Sequence, residues 1–219
     1  MNFQWMSHGA PCPIIEFHDI RTEKGGADNY LALVESRLTA PLIAAGGAPL
    51  GHFHVAGHPD RLILLRGFAS IPARRQALTG FYASAEWARY RREAIGLVRD
   101  TETALTRAVT PADGIRPIRP GEALIGLISE LRFAEQIGSY HLWLRLLLHK
   151  AGLDPIAAFA TLEAINDVPA VPVLRNRSRH IALLRPGGGG VPELPRELRG
   201  MLRFPAEVLD LQPAPALVW

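Results

Sequence analysis

The sequence predicts an α+β protein made of two βαββαβ units, the second degenerate, that close together into a tandem barrel. Three observations predict it. Strand-like and helix-like runs follow one another in that order from Pro13 to Val109, and the same order begins again after the proline-rich stretch Thr110 to Gly121. The chain is 48% hydrophobic and 21% charged, with no run of apolar residues long enough to span a bilayer, which is the composition of an ordinary globular protein. The expected organisation is an N-terminal extension (1–12), a first repeat (13–110), a linker (111–120) and a second repeat (121–219).

In the first half, "PIIEFHDIR" alternates in the strand manner, with Ile15 and Phe17 on one face and Glu16 and His18 on the other. "ADNYLALVESRLTAPLIAAGG" places Tyr30, Leu33, Val34, Leu38 and Leu42 at helical spacing, and Gly46 with Gly47 supplies the stop. "APLGHFHVAG" and "RLILLRGFA" are two further strands, expected to form a hairpin around "HPD". A helix is expected from about Pro72 to Arg99, carrying Leu78, Phe81, Tyr82, Trp87 and Tyr90, and "TETALTRAV" is the closing strand. This order is the ferredoxin-like split βαβ arrangement.

In the second half, "ALIGLISELRF" is a strand and "AEQIGSYHLWLRLLLHKAG" a strongly apolar helix ended by Gly152. "DPIAAFATLEAI", "SRHIALLRP" and "AEVLDLQP" are strands. The glycine- and proline-rich stretch from Pro186 to Phe204 leaves room for only a short second helix, so this repeat is shrunken.

Charge narrows the function classes. The formal net charge is +3, and Lys24 and Lys150 are the only lysines, so the basic pI near 9.4 reflects arginine. Such a balance argues against a general nucleic-acid binder and against Schiff-base chemistry. The densest basic cluster, "LRNRSRH" from Leu174 to His180, is a solvated loop or a site for an acidic ligand. Cys12 is the only cysteine and cannot form an internal disulfide. The N-terminal stretch lacks a basic start and an apolar core, so the expected location is cytoplasmic, with no membrane partner. No nucleophile elbow, phosphate loop or paired-cysteine motif is present, and "GGGG" at Gly187 to Gly190 lacks the lysine and hydroxyl residue of a phosphate loop.

Several motifs carry a family resemblance. "IIEFHDI", "EKGGADNYLAL" and above all "RRQALTGFYASAEWARYRREA", with Phe81, Tyr82, Ser84, Glu86 and Trp87, resemble the NIPSNAP family. In the second half "SELRF", with Glu130, Leu131 and Arg132, and the closing "AEVLDLQP" are similar to the same pattern. The likeness covers Ile14 to Val109 well and the remainder weakly, and His18 stands where the pattern favours arginine. The resemblance implies ferredoxin-like repeats in a dimeric α+β barrel. The activity of the family is undefined, while relatives in the barrel superfamily include cofactor-free monooxygenases and haem-degrading enzymes.

"GHFHVAGH" (Gly51 to His58) holds three of the eight histidines. With helices covering one face of each sheet, the apolar set Ile15, Phe17, Phe53 and Val55 is expected beneath them. Glu16, His18, His52 and His54 then share the opposite face, which in a closed barrel is the interior, and Glu130 and Arg132 join them. A polar interior is costly unless it holds water or a ligand. The expected function is therefore binding of a small organic molecule in the barrel interior, with cofactor-independent oxidation as its enzymatic form. His18 or His52 is the candidate general base, Arg132 the anion holder, Glu16 or Glu130 the residue that orients the base, and His54 a further ligand contact. Two imidazoles and a carboxylate can also hold a metal, but this is the weaker reading, because in the strand order 4-1-3-2 the first strand does not neighbour the second and the ligands would have to reach across the third. No cofactor is part of the expected function.

Three alternatives stay open: a wet sheet face, a non-catalytic protein that assembles through its sheets, and haem bound in the same cavity. The aromatic set Phe81, Tyr82, Trp87 and Tyr90 fits core packing or a cavity wall, and the helix "HLWLRLLLHK" has apolar residues on more than one stripe, which suits a homo-oligomer contact.

Overall fold

The computed structural model describes residues 12–115, 118–119, 121–163, 166–187 and 189–214. Its centre is a closed barrel of eight antiparallel strands in the order β1-β3-β2-β8-β5-β7-β6-β4. The strands are β1 Ile14–Thr22, β2 Ala48–Val55, β3 His58–Phe68, β4 Val98–Ala108, β5 Leu124–Leu131, β6 Pro155–Thr161, β7 Ser178–Leu184 and β8 Glu207–Pro213. Each half of the chain contributes four strands in the order fourth, first, third, second, and the halves join where β2 meets β8 and β4 meets β6.

Ile15, Phe17, Leu50, Phe53, Val55, Ile63 and Leu65 pack with Leu124, Ile128, Phe159, Ile181, Leu183, Leu209 and Leu211 in one cluster that draws on every strand and no helix. This cluster fills the barrel interior. One mouth is closed by paired charges: Arg61 reaches Asp19 (2.6 Å) and Glu207 (2.6 Å), and Arg179 pairs with Glu102. The other is closed by Cys12, bridged to Ile115, and by Ile118, whose N–H bonds the Leu50 carbonyl at 2.9 Å. Burying the larger apolar set in a dry lumen satisfies close packing better than a wet interior would. The expected orientation is thus reversed in the first half: Ile15, Phe17, Phe53 and Val55 point inward, and Glu16, His18, His52 and His54 lie under the helices, while Glu130 keeps the lumen side.

A β-bulge helps to set this. Ala48 and Leu50 point inward, and simple alternation from Leu50 would send His52 and His54 inward as well. The register slips between Pro49 and Gly51, so that Phe53 and Val55 take the inward positions instead. Gly51 is required there, because a Cβ would stand 2.6 Å from Phe53 Cε2.

The first-half helices are more broken than periodicity alone predicts. In place of one helix there are α1 Ala27–Leu33, a five-residue π-helical turn Val34–Leu38 and α2 Thr39–Ala44. Pro41 lacks an N–H and its ring crowds the carbonyl one turn earlier, so the wide turn forms just before it, with Thr39 N–H bonding the Val34 carbonyl. The expected long helix from Pro72 to Arg99 is two, α3 Ile71–Tyr82 and α4 Ala85–Gly96, with Ser84 capping the second by accepting from Trp87 N–H at 3.1 Å. "HPD" belongs to β3, and the turn is Ala56-Gly57, where Gly57 takes a positive φ of 77°. In the second half α5 Ile137–Lys150 covers β5 and β7, and α6 Arg196–Met201 is the short second helix.

Candidate functional site

The helix-facing side of β1 presents Ile14, Glu16, His18 and Ile20, that of β3 Leu62, Leu64, Arg66 and Phe68, and that of β2 His52 and His54. Over them lie the π turn, α3 and α4. Between sheet and helices is a cavity of about 270 Å³, just under the usual lower bound for small-molecule pockets. Its walls are apolar at Val34, Leu38, Leu64, Phe81 and Trp87, and its polar groups are His18, His52, Tyr30, Tyr82, Arg66 and Thr103. Phe81, Tyr82 and Trp87 form one of its walls, their rings 5.0–5.5 Å apart in edge and tilted contacts. Tyr90 lies elsewhere, under the Arg37 guanidinium.

The floor is a buried ionic network. Arg74 Nε donates to Glu16 Oε1 at 2.7 Å, and Arg74 Nη1 reaches Asp167 at 3.4 Å. Glu16 Oε2 lies 3.1 Å from His18 Nε2 and 4.0 Å from Arg66 Nη1. Burial pushes the Glu16 carboxyl up, but the His18 hydrogen bond and the charges of Arg66 and Arg74 outweigh it and hold the pKa at about 2. His18 is pushed below its ordinary value by burial and then by Arg66, so it is neutral near pH 7. With Glu16 ionised, His18 Nε2–H donates to it, and His18 Nδ1 accepts from the Thr103 hydroxyl at 2.9 Å. Both ring nitrogens are therefore occupied, and His18 has no lone pair to offer a ligand.

His52 differs. Its Nδ1 is 3.4 Å from Glu35 Oε1 on the π turn, and among the described residues Nε2 has no hydrogen-bond partner. A carboxylate on one nitrogen fixes the tautomer that leaves the other as a bare acceptor, the arrangement of an oriented base. His54 shares the face but pairs with exposed Asp28 at 3.3 Å and does not line the cavity.

The second-half candidates lie apart. Glu130 sits at the charged mouth of the barrel, paired with Arg177 and within 3.9 Å of Arg179 and 3.7 Å of Arg203. Arg132 follows the end of β5 and is exposed. Neither reaches the cavity, because β5 alternates: Ile125, Leu127 and Leu131 pack toward α5 while Glu130 faces the other way. The basic cluster Leu174 to His180 is spent on Glu130 and Glu102 through Arg177 and Arg179. Beneath α5, Tyr140 shares a 2.7 Å hydrogen bond with Ser129, and His141 Nδ1 lies 3.0 Å from His180 Nε2, with His141 Nε2 3.4 Å from Asp113 Oδ2. No cluster of three or more metal-ligating side chains occurs among the described residues.

Arg74, Glu35 and Arg66 are the residues that sequence reasoning missed. Each carried a signal. Arg74 falls on the helical stripe of Ala77, Leu78 and Phe81, Glu35 on that of Leu31, Leu38 and Leu42, and Arg66 alternates with Leu62, Leu64 and Phe68. A charge in register with an apolar stripe is buried with it.

No family model matches the chain, and no curated protein matches it. Solved structures do. A candidate monooxygenase from Lactobacillus acidophilus NCFM is 12% identical over 95% of this chain and 99% of its own, with a TM-score of 0.55. One from Fusobacterium nucleatum subsp. nucleatum is 8% identical over 93% of both chains, with a TM-score of 0.57. The chain has the fold of these proteins. The solved structures that it matches also include NIPSNAP family proteins, among them a NIPSNAP-like domain protein from Burkholderia xenovorans, 19% identical over 48% of this chain and 93% of its own, with a TM-score of 0.43. No helix of the described residues is long and apolar enough to cross a membrane.

Proposed function

We propose that the two halves are ferredoxin-like repeats of which the first alone keeps a site, and that this site binds a small organic molecule between its sheet and its helices. The observation that carries the reading is His52, whose Nδ1 faces Glu35 while the ring lines the 270 Å³ cavity. His52 is the general base and takes an acidic proton from the bound molecule; Glu35 orients it and stabilises the imidazolium that forms. The same proton abstraction would open a cofactor-independent oxidation, in which the resulting carbanion passes its electrons to dioxygen and the bound peroxide loses water to leave a carbonyl. The names of the two full-length structural neighbours support that class. Glu16, His18 and Arg74 hold the floor rigid beneath the ligand.

Filling the cavity tests the reading. Ala94 and Val98 both line it. Native mass spectrometry and thermal-shift screening of wild type against Ala94→Trp and Val98→Trp should show ligands retained by the wild type and lost by folded variants. Ligands held equally well by both variants would place binding elsewhere.

A second reading, self-association, rests on α5 and on Phe133, four residues ahead of it. Leu142 (58% exposed), Trp143 (61%) and Leu146 (46%) form an outward apolar face of α5, and Phe133 (56%) is exposed as well. Sedimentation of wild type against Trp143→Glu tests it, with dissociation as the supporting result and an unchanged species as the opposing one.

A further inference from the structure

Arg66 stands out among the groups that line the first-half cavity. It comes from the helix-facing side of β3, its side chain is only 16% exposed, and it opens onto walls that are mostly apolar. A guanidinium carries five N–H donors in a planar fork and no acceptor, and a largely buried one needs oxygen partners. The nearest carboxylate does not serve. Glu16 stands 4.0 Å away, and its two oxygens are already engaged by Arg74 at 2.7 Å and His18 at 3.1 Å. Asp167 lies against Arg74 on the far side and Glu35 against His52. Among the described residues, no side-chain hydrogen bond ties the Arg66 fork to a carboxylate. The hydroxyls of Tyr30 and Tyr82, both lining the cavity, stand near the same guanidinium, and Tyr82 offers it one hydrogen-bond partner for its five donors.

We propose that the ligand of this cavity is a carboxylate on a small aromatic body, with its two oxygens on the Arg66 fork, flanked by the Tyr30 and Tyr82 hydroxyls, and its ring against Phe81 and Trp87. The proposal rests on the reading of this cavity as the binding site and adds the chemical class of the ligand. A planar two-oxygen anion matches a planar two-nitrogen donor better than a point acceptor does, and a charge-assisted pair of bonds in a water-poor site discriminates strongly against a neutral isostere. The arrangement divides the work of the site: Arg66 fixes one end of the molecule, and His52, on the other side of β3 from His18, addresses the proton to be removed.

The test uses 2-naphthoate and its isostere 2-naphthamide, titrated calorimetrically into the full-length protein. Wild type should bind the acid at least about 30-fold more tightly than the amide, within the range that charged hydrogen bonds supply. Arg66→Met should remove that preference while leaving amide affinity within a few-fold. Arg66→Lys, which keeps the charge without the fork and guards against a folding defect in the first variant, should recover only part of it. Equal binding of acid and amide, with no effect of Arg66→Met on either, overturns the carboxylate assignment and leaves the cavity as the site. Acid and amide affinities that are unchanged in Ala94→Trp overturn the cavity itself, and the assignment with it.

Discussion

Glu16 and Arg74 meet at 2.7 Å with neither side chain exposed, under the floor of the first-half cavity. A carboxylate on a strand and a guanidinium on the stripe of α3 that packs against it fix helix to sheet by charge where neighbouring positions use apolar contact. Removing one partner strands the other in a dry site, so Arg74→Met should destabilise the protein by about 3–5 kcal/mol, and Glu16→Gln by a similar amount. The pair removed together should cost clearly less than the sum, since neither charge is then left unpaired. Urea denaturation of the two single variants and the double variant measures this, and strictly additive costs would show that the two residues act separately.

A second consequence concerns pH. Burial, and then the neighbouring His141, push His180 from its ordinary 6.5 to about 3, so the folded protein holds it neutral where the unfolded chain would bind a proton. In that window the unfolded state carries more protons, and stability falls as pH falls below 6.5. His18, pushed down by burial and by Arg66, acts in the same direction. Glu16, held at about 2 against an ordinary 4.5, adds its own loss only below that value. At about 1.4 kcal/mol per pH unit, His180 alone should cost roughly 2 kcal/mol between pH 6.5 and pH 5. Unfolding free energies across this range should show that slope, and His180→Leu should flatten it. An unchanged slope in the variant would assign the loss to other groups.

Much of this architecture is legible in the sequence, and the limits have particular causes. The alternation of Ile15, Phe17 against Glu16, His18 marks a two-faced strand, and all eight strands are marked in this way or by short apolar runs. Alternation does not say which face is the lumen. The rule that apolar residues go under the helices fails here because a closed barrel has a drier interior still, and both sides of the sheet are buried. The bulge at Leu50 and the π turn before Pro41 depend on pairing and on lost hydrogen bonds, which periodicity does not register. Glu16, His18, His52 and His54 share one face, as alternation predicts, but it is the face under the helices. Glu130 and Arg132 carried a family-like "SELRF" but belong to a half whose under-helix space is filled by Tyr140, Leu144 and Leu148.

Cys12 offers a test of the closed barrel. It packs within the interior cluster at the mouth near Ile115, and burial pushes its thiol up to about 11. A neutral, enclosed thiol reacts only when the structure opens. Labelling by an aromatic disulfide reagent at pH 8 should be slow in buffer and accelerate steeply through the urea transition. Fast labelling of the native protein would mean that this mouth of the barrel stands open.

The last prediction concerns the base. If Glu35 accepts from His52 Nδ1–H, neutral His52 is held in the tautomer whose Nε2 is a bare acceptor, on a ring that lines the cavity. The 3.4 Å separation is long for such a bond. Glu35→Leu keeps apolar packing on the π turn and removes the acceptor. Long-range proton–nitrogen spectra should show the neutral wild-type His52 ring protonated mainly at Nδ1, with that fraction falling in Glu35→Leu. Turnover of any substrate that the cavity accepts should fall about 10²–10⁴-fold with His52→Phe, and less with Glu35→Leu, because the latter misorients the base without removing it. Identical tautomer populations in the two proteins would show that Glu35 does not orient His52. The base would then have to be sought among the cavity's other polar groups, where His18 is already committed on both nitrogens to Glu16 and Thr103.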